Sequence, residues 1–384
     1  MTFRRTTTAL TVALAAGGVP AVLAGPASAA PRCGDRPAVR RAMERLTGTD
    51  RVPGVAVRIE DPRCGTWSAA SGKADLRTGR PMRADERVRI GSVTKSFTAT
   101  VVLQLAAEGR LSLDAPVDRY LPGLIRKGPY DGRRITVRSL LRHTSGLPDH
   151  MDSFDDSGQY RFRHFEPREL VARALAMDPP AKEWHYSTTN YIVAGMIVQA
   201  VTGHRTEDEA VRRIVRPLGL RDTYWPGDAT GIRGRHPRGY VREEKDGTVR
   251  WTDRTRMNIS AGGAGGAIIS SPPDVARFFG ALLGGRLLPP ALLAEMRRTV
   301  LADPDRVWPG ARYGLGLIET PLSCGGTWTG HAGGIEGYSA YGGVRTGGRR
   351  LAVSMNEDAP DMRTFQDVLA LVDTAFCDDG RKNS

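Results

Sequence analysis

The chain has 384 residues, 40% of them hydrophobic, with four cysteines, seven histidines and a formal net charge of +13. Beyond the N-terminal segment no run approaches the ~18 consecutive apolar residues of a membrane span, and no Lys/Arg block with interleaved aromatics argues for nucleic acid. No two cysteines stand at Cys-x-x-Cys spacing and no two histidines lie three or four apart, which disfavours a metal centre.

Arg4 and Arg5, the apolar stretch Ala9 to Leu23 and Ala27-Ser28-Ala29 form a charged n-region, a short h-region and an A-x-A site. A signal peptide is therefore expected over residues 1–29, with the mature chain secreted and without a membrane anchor. Four cysteines suit an oxidising compartment. Cys33 and Cys64 flank the first strands and Cys324 and Cys377 lie in the C-terminal quarter, so the expected pairs are Cys33–Cys64 and Cys324–Cys377. A basic exported protein is drawn to anionic envelope polymers, although charges spread over a solvated surface explain the same composition.

Val55 to Ile59 and Thr66 to Ala69 read as short strands around a turn. From Ser92 to about Leu220 the signals are helical: the segment after Ser92 closed by Gly109, Thr136 to Leu141, Pro167 to Ala176, and the apolar run Tyr191 to Val201 ended by Gly203. Residues 149–166 are polar and irregular and are expected to loop over a cleft. Beyond about Arg235 strands return at Gly266 to Ser270, Tyr313 to Ile318, Thr327-Trp328, Tyr338 to Val344 and Leu351 to Met355, with helices at Asp274 to Leu283 and Thr364 to Phe376. This order predicts an α+β fold in one unit over residues 30–384. An antiparallel sheet comes from 30–90 and 235–384, flanked by helices, and an all-α region is inserted at 91–234.

Ser92 and Lys95 in Arg89-Ile90-Gly91-Ser92-Val93-Thr94-Lys95 carry the chemistry. Three residues apart on a helix, they are neighbours, and a desolvated neutral Lys can take the proton that keeps a Ser hydroxyl a poor nucleophile. The chain holds only six Lys against 49 Arg, so a Lys inside an apolar helix stands out, because Arg cannot deprotonate. No other Ser has a Lys three residues later, and no G-x-S-x-G elbow is present, which disfavours a Ser-His-Asp hydrolase.

Several ordered blocks carry a family likeness: RIGSVTKSFTA (Arg89 to Ala99), LQLAAEGRLSLDAPVDRYLPGL (Leu103 to Leu124), ITVRSLLRHTSGL (Ile135 to Leu147), YSTTNYIVAGMIVQAVTGH (Tyr186 to His204), YGLGL (Tyr313 to Leu317) and GHAGGIEGY (Gly330 to Tyr338). On these the chain resembles the serine β-lactamase and penicillin-binding peptidase superfamily. Within it, the class C branch with its soluble exported D-alanyl-D-alanine carboxypeptidases is the nearest likeness. The resemblance implies a β-lactamase/transpeptidase-like fold and a catalytic group of Ser92, Lys95, Tyr186 and His331. Tyr186 matches the Tyr of the family's Y-x-N element, and its phenol would need a pKa lowered by a cation such as Lys95. His331-Ala332-Gly333 stands where relatives have K-T-G or H-T-G, with His331 expected to face the cleft as a protonatable group. An oxyanion hole would use backbone N–H groups of Ser92 and Gly334.

Three positions depart from that pattern. Thr188 replaces the Asn of Y-x-N, with Asn190 expected instead to cap the following helix. Ala332 lacks the hydroxyl that helps hold a substrate carboxylate, and Ile318 stands where some carboxypeptidase relatives place an Arg. Thr188, Ala332, Gly333 and Gly334 are thus the expected substrate-binding positions. The likeness implies a secreted serine hydrolase forming an acyl-enzyme at Ser92, acting first of all on D-alanyl cell-wall peptides and acylated by β-lactams. The alternatives are an esterase or D-amino-acid peptidase or amidase on the same fold, a β-lactamase, or a non-catalytic penicillin- or peptide-binding protein. Neither cofactor nor metal is implied, and a monomer is the default.

Overall fold

Strand-forming runs at the two ends of the chain meet in one sheet. The structure is a computed structural model and describes residues 34–155, 158–245 and 248–378. The expected leader and Cys33 lie outside the described residues. The sheet strands are β1 (Gly54–Asp61), β2 (Gly65–Asp75), β3 (Arg80–Pro81), β4 (Val300–Leu301), β5 (Arg312–Tyr313), β6 (Ile318–Pro321), β7 (Thr327–Ile335), β8 (Tyr338–Arg345) and β9 (Arg350–Met355). Their spatial order is β4-β5-β6-β7-β8-β9-β1-β2-β3, with every neighbouring pair antiparallel. The two chain ends are joined where Val55 of β1 stands opposite Met355 of β9.

The helices that matter for the site are α1 (Pro37–Gly48), α2 (Thr94–Ala107), α3 (Val137–Arg142), α4 (Pro167–Ala174), α5 (Thr188–Thr202), α6 (Pro272–Leu283) and α7 (Met362–Cys377). On one face of the sheet α1 and α7 form a core. Val39, Met43 and Leu46 of α1 meet Val368, Leu371, Val372 and Ala375 of α7, all fully or nearly fully buried. Their three-to-four-residue spacing gives each helix a single apolar stripe. The opposite face receives α6, and beyond it α2 and α5, which are buried from nearly all sides. Each fully buried Val, Leu or Phe is worth ~1.5–3 kcal/mol, so dense packing holds α2 in place and with it the residues at its start. Phe97 of α2 stacks on Phe278 of α6 with ring centroids 3.6 Å apart.

Cys324 and Cys377 form a disulfide with Cα atoms 5.7 Å apart, and Cys64 is disulfide-bonded in the turn between β1 and β2. No helix among the described residues is long and apolar enough to cross a membrane.

Local readings needed correction where turns interrupt apolar runs. The strand expected over Tyr313 to Ile318 is two short strands, β5 and β6, around a turn. At its centre Gly316 has φ +77, and a Cβ there would lie 2.6 Å from that of Ala99. The strand expected at Gly266 to Ser270 begins only at Ile269, because Gly263–Gly266 forms a helical turn. The helix α1, whose apolar stripe of Val39, Met43 and Leu46 was not picked out, and the Tyr240–Lys245/Thr248–Asp253 hairpin were not read from the sequence.

Candidate active site

Gly91, Ser92 and Val93 form a single 3₁₀ turn that runs straight into α2. Ser92 is thereby half-buried at the mouth of the cleft, and Lys95 lies one turn deeper, fully buried. The Lys95 ammonium or amine lies 3.0 Å from Ser92 Oγ, 2.9 Å from the Gly265 carbonyl and 3.4 Å from Thr188 Oγ1. Burial pulls its pKa from 10.5 to about 7, opposed by the nearby Asp149 carboxylate. Near neutral pH a large fraction of Lys95 is therefore an uncharged amine beside the serine hydroxyl, as a general base requires.

Tyr186 precedes α5, and its phenol interacts with Ser92 while its ring centre lies 4.8 Å from Lys95 Nζ. The lowered phenol pKa expected from a neighbouring cation is not what the structure holds. Burial pushes the phenol up, outweighing the hydrogen bond to Ser92. Desolvation is the largest influence, and the nearby Asp149 carboxylate pushes the phenol the same way. Tyr186 is thus a neutral hydroxyl able to donate a proton.

His331 needs a second correction. It is buried on β7 with Nε2 2.8 Å from the Tyr313 hydroxyl, and Nδ1 lies against the Ala332 carbonyl. Burial, with the Lys95 cation next, drives its pKa down to about 3. It lines the cleft wall as a neutral imidazole rather than facing substrate as a cation.

Gly333 lets β7 press against the serine turn. A Cβ on it would sit 2.6 Å from Ser92 N and 2.1 Å from the Ile90 carbonyl oxygen. Gly334 lies alongside, since a Cβ on Gly91 would come within 2.7 Å of the Gly334 carbonyl oxygen. Ala332 and Ile318 line the same side of the cleft as Tyr186 and His331.

Thr188 is the first residue of α5, and its hydroxyl lies 3.3 Å from Asp149 Oδ2. Asn190 does not cap the helix. It is buried within the first turn of α5, where Oδ1 accepts from Ser145 and Nδ2 lies 3.2 Å from His143 Nδ1. The N-cap is Ser187, whose hydroxyl donates to the Pro148 carbonyl instead.

Two residues escaped the sequence reading. Asp149, 6% exposed, stands beside Ser92 and Thr188 in the cleft. Its Oδ1 accepts from the Met151 N–H at 3.1 Å, and the adjacent His150 is held below its ordinary pKa mainly by burial. His143, wholly buried, caps α3 with φ +65. Its Nδ1 accepts from the Ser187 N–H at 3.1 Å, its ring centre is 4.3 Å from that of Tyr186, and its Nε2 has no hydrogen-bond partner among the described residues. Only the position of these residues within the HTSGLPD run hinted at them.

The cleft has two lobes sharing Ser92 and Gly334. One, about 370 Å³, is walled by Met151, Phe154, Tyr160, Phe165, Ile259 and Ile335. Its wall comes largely from the segment read as a polar loop, in which the rings of Phe154, Tyr160 and Phe165 pack together at 5.1–5.9 Å. The other, about 430 Å³, is lined by Tyr186, Trp308, Ile318, His331, Ala332 and Asp358.

A family model described as Beta-lactamase matches residues 39–373. Among curated proteins, the esterase EstB of Burkholderia gladioli is 32% identical over 72% of this chain and 78% of its own length. Three further curated relatives are longer, and the chain spans 33–55% of them. A solved D-stereospecific amidohydrolase from Streptomyces sp. superposes with TM-score 0.80 and 38% identity, over 89% of this chain and 99% of that one. The D-amino acid amidase of Ochrobactrum anthropi SV3 gives 0.75 and 29%, over 88% and 97%.

Proposed function

We propose, for a chain that belongs to the beta-lactamase family and is a serine hydrolase of that fold, that it hydrolyses amides of D-amino acids with apolar or aromatic side chains. The observation that carries this reading is the character of the two lobes on either side of Ser92. The D-alanyl-D-alanine carboxypeptidase reading needs a cation for the substrate's terminal carboxylate. In the Tyr186 lobe Ile318 and Ala332 are apolar, His331 is neutral, and Arg306 is bonded to Asp152 at 3.1 Å. Losing a charge-assisted partner removes ~1.5–3 kcal/mol of binding. The other lobe suits an apolar acyl side chain, and the little-exposed Asp149 suits a free α-ammonium group next to the scissile carbonyl. D-stereochemistry rests on the likeness to the amidohydrolase and the amidase.

In the reaction, uncharged Lys95 accepts the Ser92 proton as Oγ bonds to the amide carbon, with N–H groups of Ser92 and Gly334 facing the oxyanion. Tyr186, a neutral phenol, gives its proton to the departing nitrogen as the C–N bond breaks, and is reprotonated by the Lys95 ammonium. Water then attacks the acyl ester, losing its proton to the same pair, and Ser92 leaves with a proton restored.

The test is a panel of D- and L-phenylalaninamide, a D-alanyl-D-alanine peptide and a p-nitrophenyl ester, with Ser92→Ala as the blank. The reading expects D-phenylalaninamide to exceed both its L-isomer and the peptide at least tenfold in kcat/KM. Ester turnover without amide turnover would support the esterase reading that the EstB likeness favours. A peptide preferred over the amide, with a stable penicillin adduct at Ser92, would return the carboxypeptidase reading.

A further inference from the structure

The Tyr186 lobe carries three carboxylates, and two of them have cations. Asp305 is bonded to Lys182 at 2.7 Å, and Asp361 to Arg242 at 3.1 Å while also capping α7 through the Thr364 N–H. Asp358 differs. Its one hydrogen bond among the described residues is from the Ala359 N–H at 3.1 Å, and no ion pair among them reaches it. In a chain with 49 Arg, an unmatched carboxylate inside a catalytic cleft is a conspicuous vacancy for positive charge.

Its position is close to the chemistry. A Cβ on Gly334 would lie 2.4 and 2.7 Å from the two Asp358 carboxylate oxygens, so the carboxylate flanks the strand segment that faces the scissile carbonyl. The residue keeps exposed surface on the cleft side, while desolvation of its carboxylate against β7 raises its pKa to about 7. An approaching cation would offset the cost of that desolvated negative charge and draw the group into its ionised form.

We propose that Asp358 anchors a subsite for a cationic group on the leaving side of the scissile bond, so that the preferred departing amine carries a second, protonated amine of lysine type. This rests on the amide reading above for its natural substrate, but not for the existence of the subsite. The partition of charge is then complete: Asp149 faces the acyl half of the substrate, Asp358 the departing half, and a carboxylate on the departing half is repelled.

The experiment holds the acyl group constant. D-phenylalanyl-lysinamide, its ornithinamide homologue and the isosteric neutral D-phenylalanyl-norleucinamide are compared in wild type, Asp358→Asn and Asp358→Glu. One charge-assisted hydrogen bond leads us to expect a cationic-to-neutral kcat/KM ratio of about ten or more in wild type. The ratio should fall towards one in Asp358→Asn and be substantially restored in Asp358→Glu. A wild-type ratio below about two, or one that survives Asp358→Asn, overturns the proposal. A second measurement does not depend on turnover: binding of lysinamide against norleucinamide to the Ser92→Ala protein, by saturation-transfer NMR, with and without Asp358→Asn. Lysinamide binding to the Ser92→Ala protein that depends on Asp358, together with no cleavage of any of the amides by wild type, sustains the subsite and defeats the amidase reading. Equal binding of the two amides defeats the subsite.

Discussion

Replacing Lys95 with Met should abolish catalysis and make the protein more stable, and the gain should depend on pH in a specific way. Lys95 titrates near 7 in the folded protein against 10.5 for a free side chain. At about 1.36 kcal/mol for each tenfold in proton affinity, the gap costs the folded state roughly 5 kcal/mol at any pH below 7. A depressed amine pKa means that the unfolded chain binds the extra proton. The cost is therefore full below 7, declines as pH rises, and vanishes above 10.5. Met matches the four-atom apolar stem of the side chain without its charge, but removes the Nζ bonds to Ser92 and the Gly265 carbonyl. The orphaned carbonyl returns ~1–3 kcal/mol of that gain. Lys95→Met should therefore exceed wild type by about 2 kcal/mol or more at pH 6.5, with the advantage shrinking steadily from pH 7 towards 10. Urea denaturation of the two proteins at a series of pH values measures this, since other titrating groups cancel in the difference. A difference that stays flat between pH 7 and 9.5, or a variant less stable than wild type at pH 6.5, would refute the desolvated-amine account. The same amine gives wild-type kcat/KM an acid limb near pH 7, with activity rising as Lys95 loses its proton.

Two further substitutions probe the geometry around this amine. Gly333→Ala places a methyl against two backbone atoms, Ser92 N and the Ile90 oxygen, neither of which can move independently. We expect a loss of ~1–3 kcal/mol in stability and at least a hundredfold slower acylation, measured by thermal melting and stopped-flow; near-normal acylation would show that the strand and the serine turn are not rigidly apposed. His143→Gly relieves the φ +65 backbone but removes the ring between Tyr186 and Tyr313, so kcat should fall at least tenfold with little change in KM. Added imidazole should restore part of it by filling the cavity. No rescue, with KM rising instead, would assign His143 to packing alone.

The readable parts of the sequence were those set by local spacing. Ser92 and Lys95 are one helical turn apart, and Tyr186 sits at the entrance of an apolar helix whose signals are unmistakable. The central strands of the sheet were legible as short apolar runs buried on both faces, except where glycines turned the chain within such a run, as at Gly316. What stayed hidden depends on long-range contact. Asp149 acquires its role from Thr188, 39 positions away, and Asp358 from Gly334 across the sheet edge. His331 looked like a cleft cation because strand position says which wall a residue joins, whereas its protonation is set by how much water that wall excludes. Tyr186 failed in the same way: proximity to a cation could be inferred, but the burial that outweighs it could not. Phe154, Tyr160 and Phe165 were lost among polar neighbours, although together they shape the acyl lobe.

The seam between β1 and β9 sets an order in time as well as in space. Val55 and Met355 are partners 300 positions apart, so this seam cannot close until roughly 15–60 s after β1 is made, at ~5–20 residues per second. The strand that faces Ser92, Thr327–Ile335, also follows the nucleophile by more than 230 positions. A growing or truncated chain can therefore hold the nucleophile helix without its opposing wall, leaving β1 as an open edge. A chain that stops before β7 lacks the wall that Gly333 and Gly334 press against the serine turn, and its bare strand edge is a template for pairing with another chain.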